Sequence, residues 1–491
     1  MPIDANNARS LARWVLAIGV VLRVALALVN SEANDVHMNV IKVMADEHRI
    51  PAPHEDREAF QPKLYHGTVA AILRILPRHS AWFPILIAQL LSCTAGLLTL
   101  WLAYRFFLSE LEVSEKVRLI SFSMLALNPV LIGINAQATN DSFVILFGSL
   151  TFYFGWHFFR NSRTSDFCWM LISAVLAGLS KGNGVVFFIA ILAVFAISIF
   201  RSQHSFPRSA AVPYGLIFLV GYLALVPALG PYWQFYRVYG SPFVTNADPG
   251  ASPSLPEKKS KGTSIADALF TFRFLDLLKN PYRANRWHGD SSERYALFNR
   301  GPFPVHQSSA WSQLYGRAHF VHFDAWPPSW AVPTGEGAFS SWARPFVFNV
   351  GRLIFLSALF PTLLMLIGSL RSLVSAGQSL VIGSESPEYR LNDWLVNFTT
   401  VGYVLFLIAL LLKHPEDVGW FKSIYIFPGF LAFLVLFARE CDRFYVSQNK
   451  FLRLSADTNV GFLLFLYVID VTMLAGQLGI GVASHLYDIR V

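Results

Sequence analysis

Long runs of apolar residues without charge constrain this chain more than any other feature of its sequence. Residues 184–200, GVVFFIAILAVFAISIF, contain no charged side chain, and other stretches are similar. A helix needs about 20 apolar residues to cross the hydrocarbon layer of a bilayer. Only 14% of the 491 residues are charged, against roughly 25% in soluble globular proteins. The sequence therefore predicts an all-α polytopic membrane protein. It excludes a soluble multidomain enzyme and, with three cysteines in or beside apolar runs, a disulfide scaffold.

About eleven transmembrane helices are predicted from the apolar runs, of which residues 167–180 are the shortest. The spans are 11–29, 82–107, 118–135, 142–159, 167–180, 184–200, 211–230, 346–370, 391–412, 421–438 and 459–481. They divide the chain into an N-terminal membrane module (1–230), a long segment outside the bilayer (231–345) and C-terminal membrane helices (346–491).

The distribution of basic residues orients these spans. The N-terminal tail and the connections on its side carry fifteen Lys or Arg residues. The short connections on the other side and the C-terminal tail carry four, which are Lys181, Lys413, Lys422 and Arg490. The positive-inside rule therefore places the N-terminus in the cytoplasm. The net charge of +8 is then mainly a topological signal, and a nucleic-acid partner is excluded.

Two long segments, 30–81 and 231–345, fall together on the external side of this topology, where we expect them to form a small mixed domain. The first contains TVAAILRILP at 68–77, which predicts a short helix in the membrane interface. The second contains the Pro-, Ser- and Lys-rich stretch 247–262, which predicts a mobile tip. A cleaved signal peptide at 1–33 is the alternative for the first span, but Arg23 interrupts its apolar run.

Four charged residues far apart in sequence are predicted to lie near the outer membrane interface: Asp35, Asp141, Lys181 and Lys422. Charged groups at a membrane are costly and ask for an explanation. A carboxylate can accept a proton from an attacking hydroxyl or amine. Cationic side chains can neutralise a phosphate leaving group in the transition state. This set therefore suits a group-transfer site.

Each of these residues also has a structural explanation, which the sequence leaves open. Asp141 fits the N-terminal cap of a helix. Lys181 would be an ordinary loop lysine, Lys422 would snorkel to the interface, and Asp35 would be a solvated loop acid. His37, two residues after Asp35, would support the fold.

Several motifs resemble those of the GT-C class of membrane glycosyltransferases, in particular its protein O-mannosyltransferase-like and aminoarabinose-transferase-like branch. The most distinctive is NDVHMNVIKVMADEHRIPAPHEDREAFQPKLYH at 34–66. The others are NPVLIGINAQATND (128–141), LSKGNG (179–184), WQFYRVYGSPF (233–243) and FKSIYIFP (421–428). The resemblance implies a GT-C-like fold and an inverting transferase that uses a polyprenyl-phosphate-linked sugar, with its active site on the periplasmic or lumenal face.

The resemblance also implies roles for individual residues. Asp35 falls at the position of the catalytic base, and Asp141 at that of a second carboxylate that shapes the site or holds a metal. Lys181 and Lys422 would contact the donor phosphate. From the charge argument, and not from the resemblance, we also expect an arginine of the external segment to stabilise the departing phosphate. Lys63 replaces the second proline of the usual Q/K-P-P-L-Y motif and would add a phosphate contact. The residues that would line the donor pocket are Gln61, Tyr65, His37 and Tyr425. No cofactor is assigned, and a divalent metal stays open because hard-cation sites need several oxygen ligands.

The external segment contains two stretches rich in aromatic and polar residues, at 286–295 and 311–330. Such mixtures suit a sugar or acceptor surface, and we single out Tyr315, His319, His322 and Asp324. The alternative is that these aromatics pack the segment onto the membrane interface.

The predicted partners are a polyprenyl-phosphate-sugar donor, a glycan, lipid or protein acceptor, and membrane lipids, in a bacterial inner membrane. One alternative function is a lipid-linked-sugar transporter or flippase, for which charged residues should lie near the bilayer midplane. Another is an O-antigen ligase or polymerase, which also combines many spans with a large external loop.

Overall fold

The computed structural model describes residues 5–30, 37–76, 82–200, 208–245, 248, 264–282, 308–324, 338–382, 390–413 and 421–488. All regular structure in these ranges is helical, with no strand, which confirms the all-α class. The helices are α1 (Ala5–Val29), α2 (His37–Asp46), α3 (Leu64–Ile75), α4 (Trp82–Ser109), α5 (Glu115–Ala126), α6 (Pro129–Asn135), α7 (Asp141–Asn161), α8 (Thr164–Ser180), α9 (Val185–Phe200), α10 (Arg208–Leu229), α11 (Tyr232–Tyr239), α12 (Ile265–Phe270), α13 (Phe274–Lys279), α14 (Ala310–His319), α15 (Ala338–Ile382), α16 (Leu391–Lys413), α17 (Phe430–Ser447) and α18 (Lys450–Asp488). The small mixed domain stays a prediction.

Every predicted span overlaps a helix, because a helix satisfies the backbone N–H and C=O groups of an apolar run within the run itself. Within the described residues, eight helices are long and apolar enough to cross a membrane, or nine if the bent pair α5–α6 is one span. The expected eleven would also need α8, which is a shorter apolar helix, and α17, whose second half carries four charged residues. The predicted span 421–438 begins with two 3₁₀ turns, Ser423–Tyr425 and Phe427–Gly429, before α17 starts at Phe430.

Ion pairs at one end of the bundle join connections that the charge rule assigned to the same side. Lys116, in the first turn of α5, pairs with Asp457 of α18 at 2.5 Å. Glu112 receives both Arg160 from the end of α7 and Arg390 from the start of α16, each at 3.0 Å. The predicted grouping of these connections is therefore consistent with the fold, whereas the cytoplasmic orientation of this end stays a prediction.

The bent pair α5–α6 is stabilised by a buried arginine from α1. The two helices meet at an angle of 48°, and Asn128 caps α6 by accepting a hydrogen bond from Leu131 N. Arg23 is fully buried and donates from Nη1 to the carbonyl oxygen of Ala126, the last residue of α5, at 2.7 Å. Pro129 cannot continue a helical hydrogen-bond ladder because it has no N–H. Arg23 therefore satisfies a carbonyl group at the helix break.

Arg23 also connects this break to the start of α7. Its Nε donates to Asn135 Oδ1 at 3.0 Å, and Asn135 Nδ2 donates to Ser142 Oγ at 3.2 Å. Gly96 on α4 makes room for Asn135, because a Cβ atom on that glycine would lie 2.2 Å from the Asn135 side chain. Three helices thus fix the segment that leads to Asp141.

Candidate active site

Asp141, the first residue of α7, and Lys181, which follows α8, form a buried ion pair. Lys181 Nζ lies 2.7 Å from Asp141 Oδ1, and their side chains are 10% and 7% exposed. The other carboxylate oxygen, Oδ2, accepts a hydrogen bond from Thr139 Oγ1 at 2.9 Å. Burial opposes the charge of Lys181, but Asp141, Tyr425 and Glu58 together outweigh burial, and the pKa of Lys181 is raised. Asp141 therefore binds a lysine at this helix start, beyond any capping role.

Tyr425 brings the 421–428 motif to this pair. Lys181 Nζ lies 5.5 Å from the centroid of the Tyr425 ring, and Asn183 Nδ2 donates to the Tyr425 carbonyl at 3.0 Å. Asn140, the residue before Asp141, donates from Nδ2 to the carbonyl of Ser180 at 3.0 Å. Three motifs that are distant in sequence thus meet at one end of the bundle.

Gln61 extends the cluster to the 34–66 motif. Its Oε1 lies 3.5 Å from Asn140 Nδ2, and its Nε2 donates to Glu58 Oε2 at 3.3 Å. Glu58 is buried and was missed by the sequence analysis, because nothing in the pattern distinguishes it from the acids of an exposed loop.

Lys63 is bound to its own loop. Its Nζ donates to the carbonyl oxygens of Ala59 and Gln61, both at 2.5 Å. Burial lowers the pKa of Lys63 to about 7, against the opposing effect of Glu58 and Asp56. Lys63 is thus a weakly basic amine in this structure, and its predicted contact with a donor phosphate stays a prediction.

Tyr65 lies inside the protein. It is fully buried, donates its hydroxyl hydrogen to the Ala88 carbonyl at 2.8 Å and accepts a hydrogen bond from Ser92 Oγ at 3.1 Å. His37, the first residue of α2, is also buried, and its Nδ1 lies 2.9 Å from His66 Nε2. Both residues join α2 and α3 to the membrane helices, so in this conformation neither side chain offers exposed surface to a donor.

Arg317 of α14 brings the external segment to the same cluster. Its guanidinium donates from Nε and Nη2 to Asp324 Oδ1 at 3.0 and 2.8 Å. Its Nη1 lies 3.4 Å from the Phe421 carbonyl, and its own carbonyl accepts from Ser423 Oγ at 2.6 Å. Lys422 lies between Phe421 and Ser423 in the sequence and is half-buried. From the sequence we expected an arginine of the external segment at the site without identifying which one, and the structure places Arg317 there. Asp324 accepts two hydrogen bonds from the Arg317 guanidinium.

The three other residues singled out on the external segment dock it onto the membrane helices. Tyr315 donates its hydroxyl hydrogen to Phe355 of α15, and His319 Nδ1 lies 2.5 Å from the Tyr467 hydroxyl of α18. Burial lowers the pKa of His319 to about 3, so this ring is neutral. His322 Nδ1 lies 2.6 Å from Asp470 Oδ1, and both side chains are fully buried. In this structure these contacts favour the packing alternative over an acceptor surface.

Asp35 lies outside the described residues, and its role as the base stays a prediction from the resemblance. Among the residues described, no group of three or more His, Cys, Asp or Glu side chains is arranged to hold a metal ion. Asp141, the carboxylate for which a metal was left open, binds Thr139 and Lys181 instead.

Comparison with known proteins gives a family match and several structural alignments, including two with forms of the same protein. The profile of the family described as dolichyl-phosphate-mannose-protein mannosyltransferase matches residues 77–236, which include Asp141 and Lys181. ArnT from Cupriavidus metallidurans aligns in its form bound to undecaprenyl phosphate (16% identity, TM-score 0.34) and in its apo state (15%, 0.33). Each alignment covers 87% of this chain and 77% of the other. A comparison with curated proteins finds no match. The family match confirms the resemblance inferred from the sequence motifs.

Proposed function

We propose that this chain, a relative of the protein mannosyltransferase branch of the GT-C membrane glycosyltransferases, transfers a sugar from a polyprenyl-phosphate donor to an acceptor. Transfer takes place at the end of the bundle where Asp141, Lys181 and Arg317 lie, which we assign to the external face. Asp35 is the base of this reaction, and Lys181 and Lys422 stabilise the phosphate that leaves.

The observation that carries this proposal is the convergence of cations on one end of the bundle. Lys181 and Arg317 are both buried and each is oriented by a carboxylate, Asp141 or Asp324, at 2.7 to 2.8 Å. Cations fixed in advance at a site shielded from water stabilise developing negative charge without reorganising during the reaction. A lipid phosphate departing from a sugar develops such charge.

The state of Asp141 supports a single displacement. A retaining mechanism requires a carboxylate that attacks the anomeric carbon. Both oxygens of Asp141 are bound, one by Lys181 and one by Thr139. In the proposed reaction the acceptor oxygen or nitrogen attacks the anomeric carbon, the bond from that carbon to the phosphate oxygen breaks, and the acceptor proton moves to Asp35. The anomeric configuration inverts.

The transporter hypothesis receives less support from Arg23 and Arg352, the two arginines inside predicted spans. A transport path predicts charged groups inside the bundle. Arg23 is bound at the α5–α6 break, and Arg352 of α15 donates to the carbonyls of Leu278 and Lys279. Both arginines therefore have structural partners in this conformation.

The test is a transfer assay with the purified protein in lipid nanodiscs and polyprenyl-phosphate sugars as donors. Released polyprenyl phosphate reports turnover, and NMR of the product reports its anomeric configuration. We expect Asp35→Asn to abolish transfer while the protein still folds, and Asp46→Asn, an exposed acid of α2, to leave transfer unchanged. Full activity of Asp35→Asn would remove Asp35 as the base. Retained configuration would contradict the single displacement, and absence of transfer from every donor would contradict the function.

A further inference from the structure

A chain of hydrogen bonds leads from α3 to the Asp141–Lys181 pair. His66 Nε2 lies 2.9 Å from His37 Nδ1, and His37 Nε2 lies 3.5 Å from Thr139 Oγ1. Thr139 Oγ1 in turn donates to Asp141 Oδ2 at 2.9 Å. The side chains of His66, His37 and Thr139 are all buried, so water does not compete for these bonds. The chain joins α2, α3 and the start of α7.

The distances assign a direction to this chain. Thr139 has one hydroxyl hydrogen, and the shorter contact, to Asp141, takes it. His37 Nε2 must then donate to Thr139, so the neutral His37 ring accepts at Nδ1. His66 Nε2 must therefore carry the hydrogen that His37 accepts. Burial holds the pKa of His66 well below its ordinary value, which agrees with one proton on that ring.

We propose that His66 is a positioning residue of the transferase, an inference that rests on the proposed function. By donating to His37 it fixes the His37 tautomer that donates to Thr139, and the Thr139 hydroxyl is then left to Asp141. Asp141 keeps its orientation and holds Lys181 at the donor phosphate. His66 itself touches neither Lys181 nor the phosphate, and it acts through three intervening side chains.

Without the His66 donor, the hydrogen-bonding roles along the chain can reverse. His37 is then free to carry its hydrogen at Nδ1 and to accept from Thr139 at Nε2. Asp141 loses one of its donors and with it part of the restraint on Lys181. The affinity for the sugar donor should fall by the value of one hydrogen bond, up to about tenfold, since a net hydrogen bond is worth roughly 0.5–1.5 kcal/mol. The loss should appear in the KM for the sugar donor and also in kcat, because Lys181 is proposed to stabilise the departing phosphate in the transition state.

The test uses the full-length protein in nanodiscs and a double-mutant cycle of His66→Leu and Thr139→Val. Both the KM for a polyprenyl-phosphate sugar and the Kd for undecaprenyl phosphate are measured. We expect each single variant to raise both constants about tenfold, and the double variant to be no worse than either, because both interrupt one chain. His66→Gln, whose amide can donate from about the position of Nε2, should remain within about threefold of the wild type. His157→Leu, near the opposite end of α7, serves as the control and should change neither constant.

Each outcome decides the proposal. If the double variant raises KM and Kd by the product of the two single effects, about a hundredfold, then His66 and Thr139 act independently and the proposal is overturned. A His66→Gln protein as weak as His66→Leu would also overturn it, because ring volume and not the donor would then matter. If His66→Leu does not fold, His66→Gln is compared with His66→Asn instead. The shorter amide of His66→Asn cannot reach His37, so this variant should show the weaker binding. Non-additive Kd values in a protein that transfers no sugar would support the positioning role while refuting the proposed function. Equal Kd values in all variants would refute the positioning role alone.

Discussion

Removing one charge of the Asp141–Lys181 pair should destabilise the protein more than removing both. At 2.7 Å and an effective dielectric constant of about 20, the attraction between the two charges is about 6 kcal/mol. Desolvation of two charges offsets much of this attraction. Asp141→Asn leaves an unpaired ammonium in a buried place, and Lys181→Met leaves a carboxylate there. Each single variant should therefore lose about 3–5 kcal/mol of unfolding free energy.

The double variant Asp141→Asn/Lys181→Met buries no charge at this position. We expect it to cost no more than either single variant, which gives a coupling energy of about 3 kcal/mol or more. The pKa of Lys181 is raised in the folded protein. A raised lysine pKa contributes stability that is complete below the unfolded pKa and is lost only as the pH rises through the folded pKa. The coupling should therefore be constant between about pH 6 and pH 9.

The measurement is equilibrium unfolding in mixed micelles with increasing SDS, for the four proteins of the cycle. Arg49 and Glu55 provide a matched control, because they form an ion pair of the same length, 2.7 Å, on the exposed surface. Their cycle of Arg49→Met and Glu55→Gln should show no measurable coupling. Additive losses at Asp141 and Lys181, or a coupling no larger than in the control, would refute the conclusion that this pair is buried and mutually dependent.

Three further predictions follow from buried groups. The pKa of Lys63 is lowered from 10.5 to about 7 in the folded protein, so above pH 7 the unfolded chain binds more protons than the folded protein does. The unfolding free energy should therefore rise with pH above pH 7, and Lys63→Met should remove that rise. An equal rise in Lys63→Met would contradict the assignment. Gly96→Ala should cost about 1–3 kcal/mol by overpacking, whereas Gly461→Ala on α18, with nothing within 4 Å of its Cβ, should be neutral or stabilising in the same unfolding assay. His322→Leu should lose about 3–5 kcal/mol by leaving Asp470 unpaired, and His322→Gln less; equal melting temperatures for the two would count against this buried pair.

The positions of the helices followed from the sequence because each apolar run is long and continuous. Residues 184–200 could hardly be anything but a buried or lipid-facing helix, and the structure has α9 there. The start of α17 did not follow from the sequence, which predicted a span from residue 421 whereas the helix begins at Phe430. Residues 421–429 are nearly as apolar as the helix that follows, and the turn conformation around Pro428 depends on its neighbours.

The polar cluster was predictable in part, because the sidedness of the connections follows from the charge rule. Asp141 and Lys181, two of the four charged residues that the rule placed at one level, form an ion pair in the structure. The rule cannot state which neighbour each side chain meets. Tyr65 and His322 were expected at a binding surface and are instead fully buried, because their partners Ala88 and Asp470 lie on helices that no local pattern connects to them.

The contacts of Arg23 have a consequence for how this protein is made. A helix with an arginine within its apolar stretch inserts into the bilayer at a cost of up to about 3.5 kcal/mol, and α1 is synthesised before α5 and α6. The groups that later bind Arg23, at Ala126 and Asn135, leave the ribosome more than a hundred residues afterwards. Throughout that interval the guanidinium must be solvated by lipid headgroups, by water or by the translocation machinery. Stable integration of α1 therefore depends on the arrival of α5 and α6, which makes the third predicted span a checkpoint in membrane assembly.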